Sequence, residues 1–349
     1  MFVCSEALMP RHDRIQQRVG VVGLGLIGAS IARALSGIRQ VVAWDVDDAV
    51  GSQARAIGID VAAGLDDLVK RVDLIVVAVP MPALSAVFER LSTAMSTSER
   101  YPLVTDVASV KLPVLLTAHG ALPPQATYVG SHPMAGKQMP GFAASEPELF
   151  ADAAWPVMIE PRSTLRAIAD VCAFVLDCGA RPIPMTAGQH DRVAASISHL
   201  PHVLATNLLS LVTNSPDADL KLRLAAGSFR DGTRVATDNA PLVAAMCDLN
   251  KTHVLQSVDQ VIAQLSEFRT ILSQSVSGEP IEALVDQAAL RRQEILGGGW
   301  ITQNVSFALD DNLAWRSVLL DAGSIGGHIA GLHEHGNEIR LTLCLPRLS

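Results

Sequence analysis

Short apolar runs alternate with amphipathic stretches over the first half of the chain. Val19 to Val22, Val41 to Trp44, Leu74 to Val79, Leu103 to Asp106 and Tyr128 to Gly130 read as strands. The Leu74–Val79 run is apolar throughout, as a strand covered on both faces must be. Between these runs, Ile27, Ile31, Ala34 and Leu35 recur at helical intervals. Asp47 to Ile57 reads as a polar helix stopped by Gly58, Ile59 to Ala62 as a short strand or connection, and Leu65 to Lys70 as a second short helix. Leu84, Val87, Phe88 and Leu91 share one face of a helix over Leu84 to Met95. Two further strands, Trp155 to Glu160 and Arg181 to Met185, flank a helix from Thr164 to Cys178. The alternation predicts an α/β fold with a doubly wound, mostly parallel sheet. From Gln189 to about Leu296 only helical periodicity remains, with Ala194, Ile197, Val203, Leu204, Leu208 and Leu211 sustaining an apolar surface. Pro201 lies inside that stretch and predicts a kink, because it removes one backbone donor. Beyond Gly297–Gly299 the pattern predicts a strand over Arg316–Leu320, a short helix over Ser324–Leu332, and a strictly alternating strand over Glu338–Leu345.

One stretch organises the rest. After Val19–Val22, the glycines Gly23, Gly25 and Gly28 stand in the spacing G-x-G-x-x-G and open a helix, with Leu26 and Ile27 in the turn. Gly23 permits the tight turn, Gly25 lets a pyrophosphate approach the backbone, and Gly28 lets the helix pack closely on the strand. The helix N-terminus offers N–H groups and partial positive charge to phosphate. The next strand ends in Asp45, 22 positions beyond Gly23. An acid there accepts hydrogen bonds from the adenosine ribose hydroxyls and repels a 2′-phosphate, so the expected cofactor is NAD rather than NADP. The expected architecture is therefore a Rossmann-type dinucleotide-binding domain over 18–187, preceded by an N-terminal extension over 1–17. A helical substrate and dimerisation domain follows over 188–298, and a strand–helix–strand tail over 299–349.

Composition narrows the partners. The 349 residues are 49% hydrophobic and 18% charged, enough for large cores. A net charge of −8 with no dense basic run argues against nucleic acid or an anionic membrane as main partner. An anionic substrate then needs a local cationic pocket. The five cysteines are scattered without a CxxC pair, which disfavours a disulfide frame or a zinc site; no metal is expected. No apolar run reaches the roughly 18 residues of a membrane span, and the N-terminus lacks a signal-peptide apolar core, so a cytoplasmic location is expected.

Four further stretches carry candidate chemistry: Asp106 to Lys111 and Gly130 to Gly136, each directly after a strand; Ser198 to His202 on the kinked helix; and Gly227 to Arg234, which holds two arginines. In an open α/β sheet, ligands bind outside the carboxyl ends of the strands, so the first two fall on the rim that holds the nicotinamide. The motifs GLGLIGAS, DVASVK, GSHPMAG, HDRVAASISHLPH and GSFRDGTRVA, in that order over residues 18 to 295, resemble the prephenate dehydrogenase family, which includes arogenate dehydrogenases.

The resemblance implies NAD-dependent oxidative decarboxylation of prephenate to 4-hydroxyphenylpyruvate in tyrosine biosynthesis. It implies that His132 takes the hydroxyl proton, as a neutral imidazole with an ordinary pKa near ~6.5 is able to do. Ser109 would hydrogen-bond and orient that imidazole and border the cofactor. Arg234 would clamp a substrate carboxylate bidentately. Ser198, His199 and His202 would line the pocket for the substrate side chain, and Val79 and Pro80 would shape the nicotinamide wall. Arg230 stands where many relatives carry lysine, and serves either a pocket, in cis or in the neighbouring subunit, or a surface ion pair. Asp191, at the start of the long helix, reads as favouring that helix's N-terminus. A homodimer through the helical domain is expected. The tail resembles the opening half of an ACT ligand-binding domain; simple capping of the helical domain is the plainer reading. Arogenate as substrate remains open, as does a non-catalytic NAD-responsive binding protein. A β-hydroxyacid dehydrogenase would have to rely on Lys251, and the His132 motif disfavours it.

Overall fold

A computed structural model describes residues 17–237, 240–275, 277–310 and 313–347, so the expected extension over 1–17 lies almost wholly outside the described residues. The apolar runs of the first half become six short strands: β1 (Val19–Val22), β2 (Val41–Trp44), β3 (Asp60–Val61), β4 (Leu74–Val77), β5 (Leu103–Asp106) and β6 (Tyr128–Val129). They pair in parallel in the order β3-β2-β1-β4-β5-β6. This is the doubly wound order in which the chain reverses direction at β1 and β4 and leaves a crevice at their carboxyl ends. β1 and β4, central in the sheet, are buried at every position. The crossovers are α1 (Leu26–Ala34), α2 (Asp48–Ala56), α3 (Leu65–Arg71), α4 (Leu84–Ser98) and α5 (Leu112–Ala121).

β7 (Ala154–Met158) and β8 (Arg181–Met185) form a separate parallel pair bridged by α6 (Leu165–Asp177). Trp155, fully buried on β7, packs against Phe150 and edge-on to Phe174 of α6. α6 starts at Thr164, whose hydroxyl accepts from the Ala167 N–H at 3.2 Å, a side-chain N-cap.

The tail over Thr302–Leu345 belongs to the same compact unit as residues up to Asp191. Its internal order differs from expectation. Arg316–Leu320 is helical, within α14 (Ala314–Ser324), and Ser324–Leu332 is not a helix but leads into β10 (His328–His335). Trp315, Leu319 and Ala322 recur at spacings of four and three and are buried, so helical burial outweighs the β-propensity of the short run. Gly326, at φ +85°, ends that helix. β11 (Glu338–Pro346) alternates as expected, with Ile339, Leu341 and Leu343 buried. A strand missed in the sequence, β9 (Trp300–Ala308), completes a three-stranded sheet of order β10-β11-β9. Most of its positions are exposed, and alternation is confined to its last few residues, so WITQNVSFA carries little strand signal. α14 and β10 pack on β8, and Gly323 lies so close to the Pro184 carbonyl that a Cβ there would meet the oxygen at 1.7 Å.

The second unit, over Arg192–Ile301, is helical up to Gly297. α7 (Ala187–Ala194) is followed by a π-helical turn over Ala195–His199, and then by α8 (Leu200–Thr213). The expected disturbance at Pro201 thus takes the form of a widened turn just before it, which accommodates the missing N–H. α9 (Ala218–Leu224), α10 (Gly227–Thr233), α11 (Ala240–Leu249), α12 (Lys251–Gln274) and α13 (Glu279–Gly297) complete it. Among the described residues no helix is long and apolar enough to cross a membrane.

Candidate active site

The glycine turn fits a dinucleotide. Gly23 sits at φ +93°, with the Ala78 carbonyl and a Val79 methyl so close that any side chain would collide with them. A Cβ on Gly28 would stand 1.9 Å from the Gly23 carbonyl oxygen, so α1 is pressed directly on the turn. At Gly25, by contrast, nothing lies within 4 Å of a Cβ position: the backbone there faces open space. α1 has no side-chain cap and no acidic residue in its first turn, so the N–H groups at Leu26 and Ile27 present an uncompensated positive end. Asp45 Oδ2 accepts from the Leu24 N–H at 2.6 Å, and Oδ1 accepts from the Asp47 N–H at 2.9 Å. The acid at the end of β2 is thereby tied to the glycine turn itself, half-buried, with further acceptor capacity on both oxygens.

Beyond β6 the chain from Gly130 to Met134 runs antiparallel to β7. The Met158 N–H donates to the Gly130 carbonyl, the His132 N–H to the Pro156 carbonyl and the Met134 N–H to the Ala154 carbonyl, at 2.9–3.0 Å. This short ladder fixes the backbone of His132, whose side chain is buried at 8% exposure. His132 Nδ1 lies 2.9 Å from His190 Nε2, with the rings edge-on, and His190 Nδ1 lies 2.8 Å from Asp191 Oδ1. Asp191 Oδ1 also accepts from the Lys111 N–H at 2.7 Å, and Oδ2 from the Leu112 N–H at 2.9 Å. Asp191, expected to serve the start of its own helix, thus accepts from two backbone N–H groups at the N-terminus of α5.

Burial opposes ionisation of Asp191. The hydrogen bonds from His190 and from the Leu112 and Lys111 N–H groups outweigh it and hold the carboxyl below its ordinary pKa. His190 goes the same way for another reason: burial lowers its pKa, and the Asp191 hydrogen bond only partly opposes this. Beneath lies a second buried group. Lys111 Nζ donates to Asp106 Oδ2 at 2.5 Å and to the Ser131 carbonyl at 2.6 Å, and Tyr128 donates to Asp106 Oδ1 at 2.6 Å. Burial lowers the Lys111 pKa against the pull of Asp106, and raises that of the Tyr128 hydroxyl, with Asp106 adding to the effect. These contacts tie the end of β5 to the loop that carries His132.

Ser109, expected to orient the imidazole, has Oγ 3.7 Å from Met81 Sδ, and His190 lies within hydrogen-bond distance of His132 Nδ1. Asp106 and Lys111 bound a candidate stretch and His190 opens a motif, but none of them, nor Tyr128, carries an expected role. A His–Asp pair at the start of a helix, and an acid closing a buried strand, were the available signals.

In the helical unit, Asn250 Nδ2 donates to His199 Nδ1 at 3.2 Å, and His199 is fully buried in the π-helical turn. His202 Nδ1 donates to the Val235 carbonyl at 3.2 Å. α8 packs against α10 and the 3₁₀ turn Arg234–Thr237, which brings that carbonyl, one residue after Arg234, to His202. Arg234 and Arg230 are exposed on this unit, and Ser198 is half-buried.

The first unit is the dinucleotide-binding part of an oxidoreductase: strand order, open glycine turn and the acid closing β2 agree. The chain belongs to the prephenate dehydrogenase family. Residues 31–183 match that family's nucleotide-binding domain, and residues 186–286 its dimerization domain. A cyclohexadienyl dehydrogenase of Zymomonas mobilis is 34% identical over 74% of this chain and 89% of its own length. A prephenate dehydrogenase of Bacillus subtilis is 30% identical over 75% of this chain and 72% of its own. A solved chain from Corynebacterium glutamicum, provisionally designated a prephenate dehydrogenase, has a TM-score of 0.76 at 31% identity and covers 90% of this chain and 98% of that one.

Proposed function

We propose that the chain carries out the NAD-dependent oxidative decarboxylation of prephenate to 4-hydroxyphenylpyruvate, in tyrosine biosynthesis. The observation that carries this reading is the buried His132 imidazole, on a loop beyond a parallel strand and backed by a neutral histidine and a carboxylate. NAD supplies the two-electron acceptor for the hydrogen leaving the hydroxyl-bearing ring carbon. Gly23, Gly25, Leu26, Ile27 and Gly28 form the pyrophosphate cradle, Asp45 accepts from the ribose hydroxyls, and Val79, Pro80 and Ser109 border the nicotinamide. His132 accepts the hydroxyl proton as carbon dioxide departs and the ring becomes aromatic. Arg234 holds a substrate carboxylate; Ser198, His199 and His202 line the pocket for the side chain, and Arg230 adds positive charge. Because aromatisation drives the reaction, the protein's work is positioning, which lowers a barrier by roughly 7–11 kcal/mol in favourable cases, together with proton removal. The functional division that follows is cofactor binding over 18–187 and substrate binding and dimerisation over 188–298; the tail over 299–349, expected to cap the helical domain, packs instead on β8 and α6 of the first unit.

The deciding assay follows NADH formation by the purified protein with prephenate and with arogenate, side by side. The cyclohexadienyl relative motivates the second arm, since both compounds carry a cyclohexadienyl ring. Turnover with prephenate supports the proposal, turnover with arogenate alone replaces the substrate, and no NADH with either leaves a binding protein.

Three further outcomes follow. Arg234→Gln raises the KM for prephenate about 10- to 100-fold, the worth of a charge-assisted pair of ~1.5–3 kcal/mol, without changing NAD affinity. An unchanged KM removes the clamp. Asp45→Ser shifts cofactor preference toward NADP in paired titrations, because the repelling carboxylate is gone; an unaltered preference refutes the ribose contact. Finally, the helical unit exposes Ile262, Leu265 and Leu272 on α12 and Val285, Leu290 and Ile295 on α13, each at 57–63%. Apolar surface on this scale is what a subunit interface covers. Sedimentation equilibrium should give twice the chain mass, and Leu265→Glu combined with Leu272→Glu should move it toward the monomer. A monomeric parent protein excludes the dimer.

A further inference from the structure

We propose that His190 and Asp191 are positioning residues that fix the tautomer of His132, so that Nε2 is the nitrogen that takes the substrate proton. The inference rests on the reading of His132 as the base, and goes beyond it by saying which atom acts and what sets it.

Asp191 accepts from two backbone N–H groups at the start of α5, at 2.7 and 2.9 Å, so its oxygens are committed as acceptors and its charge lies at the positive end of a helix. A carboxylate 2.8 Å from His190 Nδ1 requires the hydrogen on that nitrogen; lone pairs facing each other at this distance would repel. His190 is 2% exposed and its pKa is lowered, so the ring is neutral and Nε2 carries a lone pair. That lone pair faces His132 Nδ1 at 2.9 Å, so His132 Nδ1 carries the hydrogen and donates it. The basic lone pair of His132 is then on Nε2. Each assignment follows from the one before; a proton on His190 Nε2 would reverse the last, and burial of that ring opposes it.

The chemistry balances without moving a proton along the chain. The substrate O–H bond breaks, its proton bonds to Nε2, and His132 becomes an imidazolium. The new positive charge sits on a ring already donating to His190, with the Asp191 carboxylate at the far end to stabilise it. Ring orientation is held as well, since the His132 N–H is fixed to the Pro156 carbonyl while Nδ1 is fixed to His190.

The test is nitrogen NMR on protein labelled at histidine, with the His132 signals identified by their loss in His132→Asn. The unaltered protein should show His132 as the Nδ1–H tautomer. In His190→Leu that signature is lost and kcat falls about 10-fold or more, a part of the ~10²–10⁴ that a general base supplies, while KM for prephenate stays near the parent value. His190→Gln, whose amide oxygen accepts from His132 Nδ1, restores most of kcat. An Nε2–H tautomer in the unaltered protein overturns the proposal, and so does His190→Leu with parent tautomer and parent kcat. Should His190→Leu fail to fold, the tautomer in the unaltered protein decides alone. If His132→Asn keeps full turnover, the base assignment fails instead, whatever the tautomer.

Discussion

His132→Asn lowers turnover with prephenate by at least ~10²-fold and leaves NAD affinity at the parent value. Asparagine is smaller than histidine, stays polar and has no basic lone pair to accept a proton near neutral pH. Its amide still donates to His190 Nε2, which otherwise would be left as a buried acceptor without its imidazole partner. The backbone of residue 132 is held by the ladder to β7, which does not depend on the side chain. Loss of rate in this variant therefore reports chemistry rather than collapse of the loop. Steady-state kinetics with prephenate and a calorimetric titration with NAD separate the two. Turnover within a few-fold of the parent would remove His132 from the reaction, and weakened NAD binding would place it against the cofactor.

The sheet was legible in the sequence because each of its signals is local. Val19–Val22 and Leu74–Val77 are short and wholly apolar, the composition of a strand buried on both faces, and the glycine turn after the first and Pro80 after the second mark their ends. The glycine turn was legible for the same reason: three glycines and an acid at set spacings each answer a separate steric or electrostatic demand. The network behind His132 was not legible. His190 is 58 residues from His132, and Asp191 is 80 from the Lys111 N–H it accepts from, so nothing in the local pattern pairs them. The family resemblance assigns the orienting role to Ser109, whose hydroxyl lies 3.7 Å from Met81 Sδ, and says nothing of His190. The tail failed for another reason. Arg316–Leu320 is short enough to suit either element, and what decides is the burial of Trp315 and Leu319, a tertiary fact.

Gly28→Ala is expected to cost both stability and cofactor binding, and its comparison with Gly25→Ala tests the cradle most directly. A Cβ at Gly28 stands 1.9 Å from the Gly23 carbonyl oxygen and 3.1 Å from the Ala78 side chain. Neither neighbour yields easily: the first is backbone in a turn already at φ +93°, and that turn is itself pressed on the Ala78 carbonyl. α1 must lift off the turn, at about 1–3 kcal/mol or more, as for other overpacked sites. Lifting it withdraws the helix N-terminus from the phosphates, so NAD affinity should fall by at least ~10-fold, the equivalent of roughly 1.4 kcal/mol. Gly25→Ala meets nothing within 4 Å, so its melting temperature should match the parent. If a pyrophosphate lies against that backbone, the added methyl occupies its place, and affinity falls with no change in stability. Thermal melts and NAD titrations of both variants read the two effects apart. A Gly25→Ala protein that binds NAD as tightly as the parent would show that the phosphates lie elsewhere, and with them the positive end of α1 would lose its part in holding the cofactor.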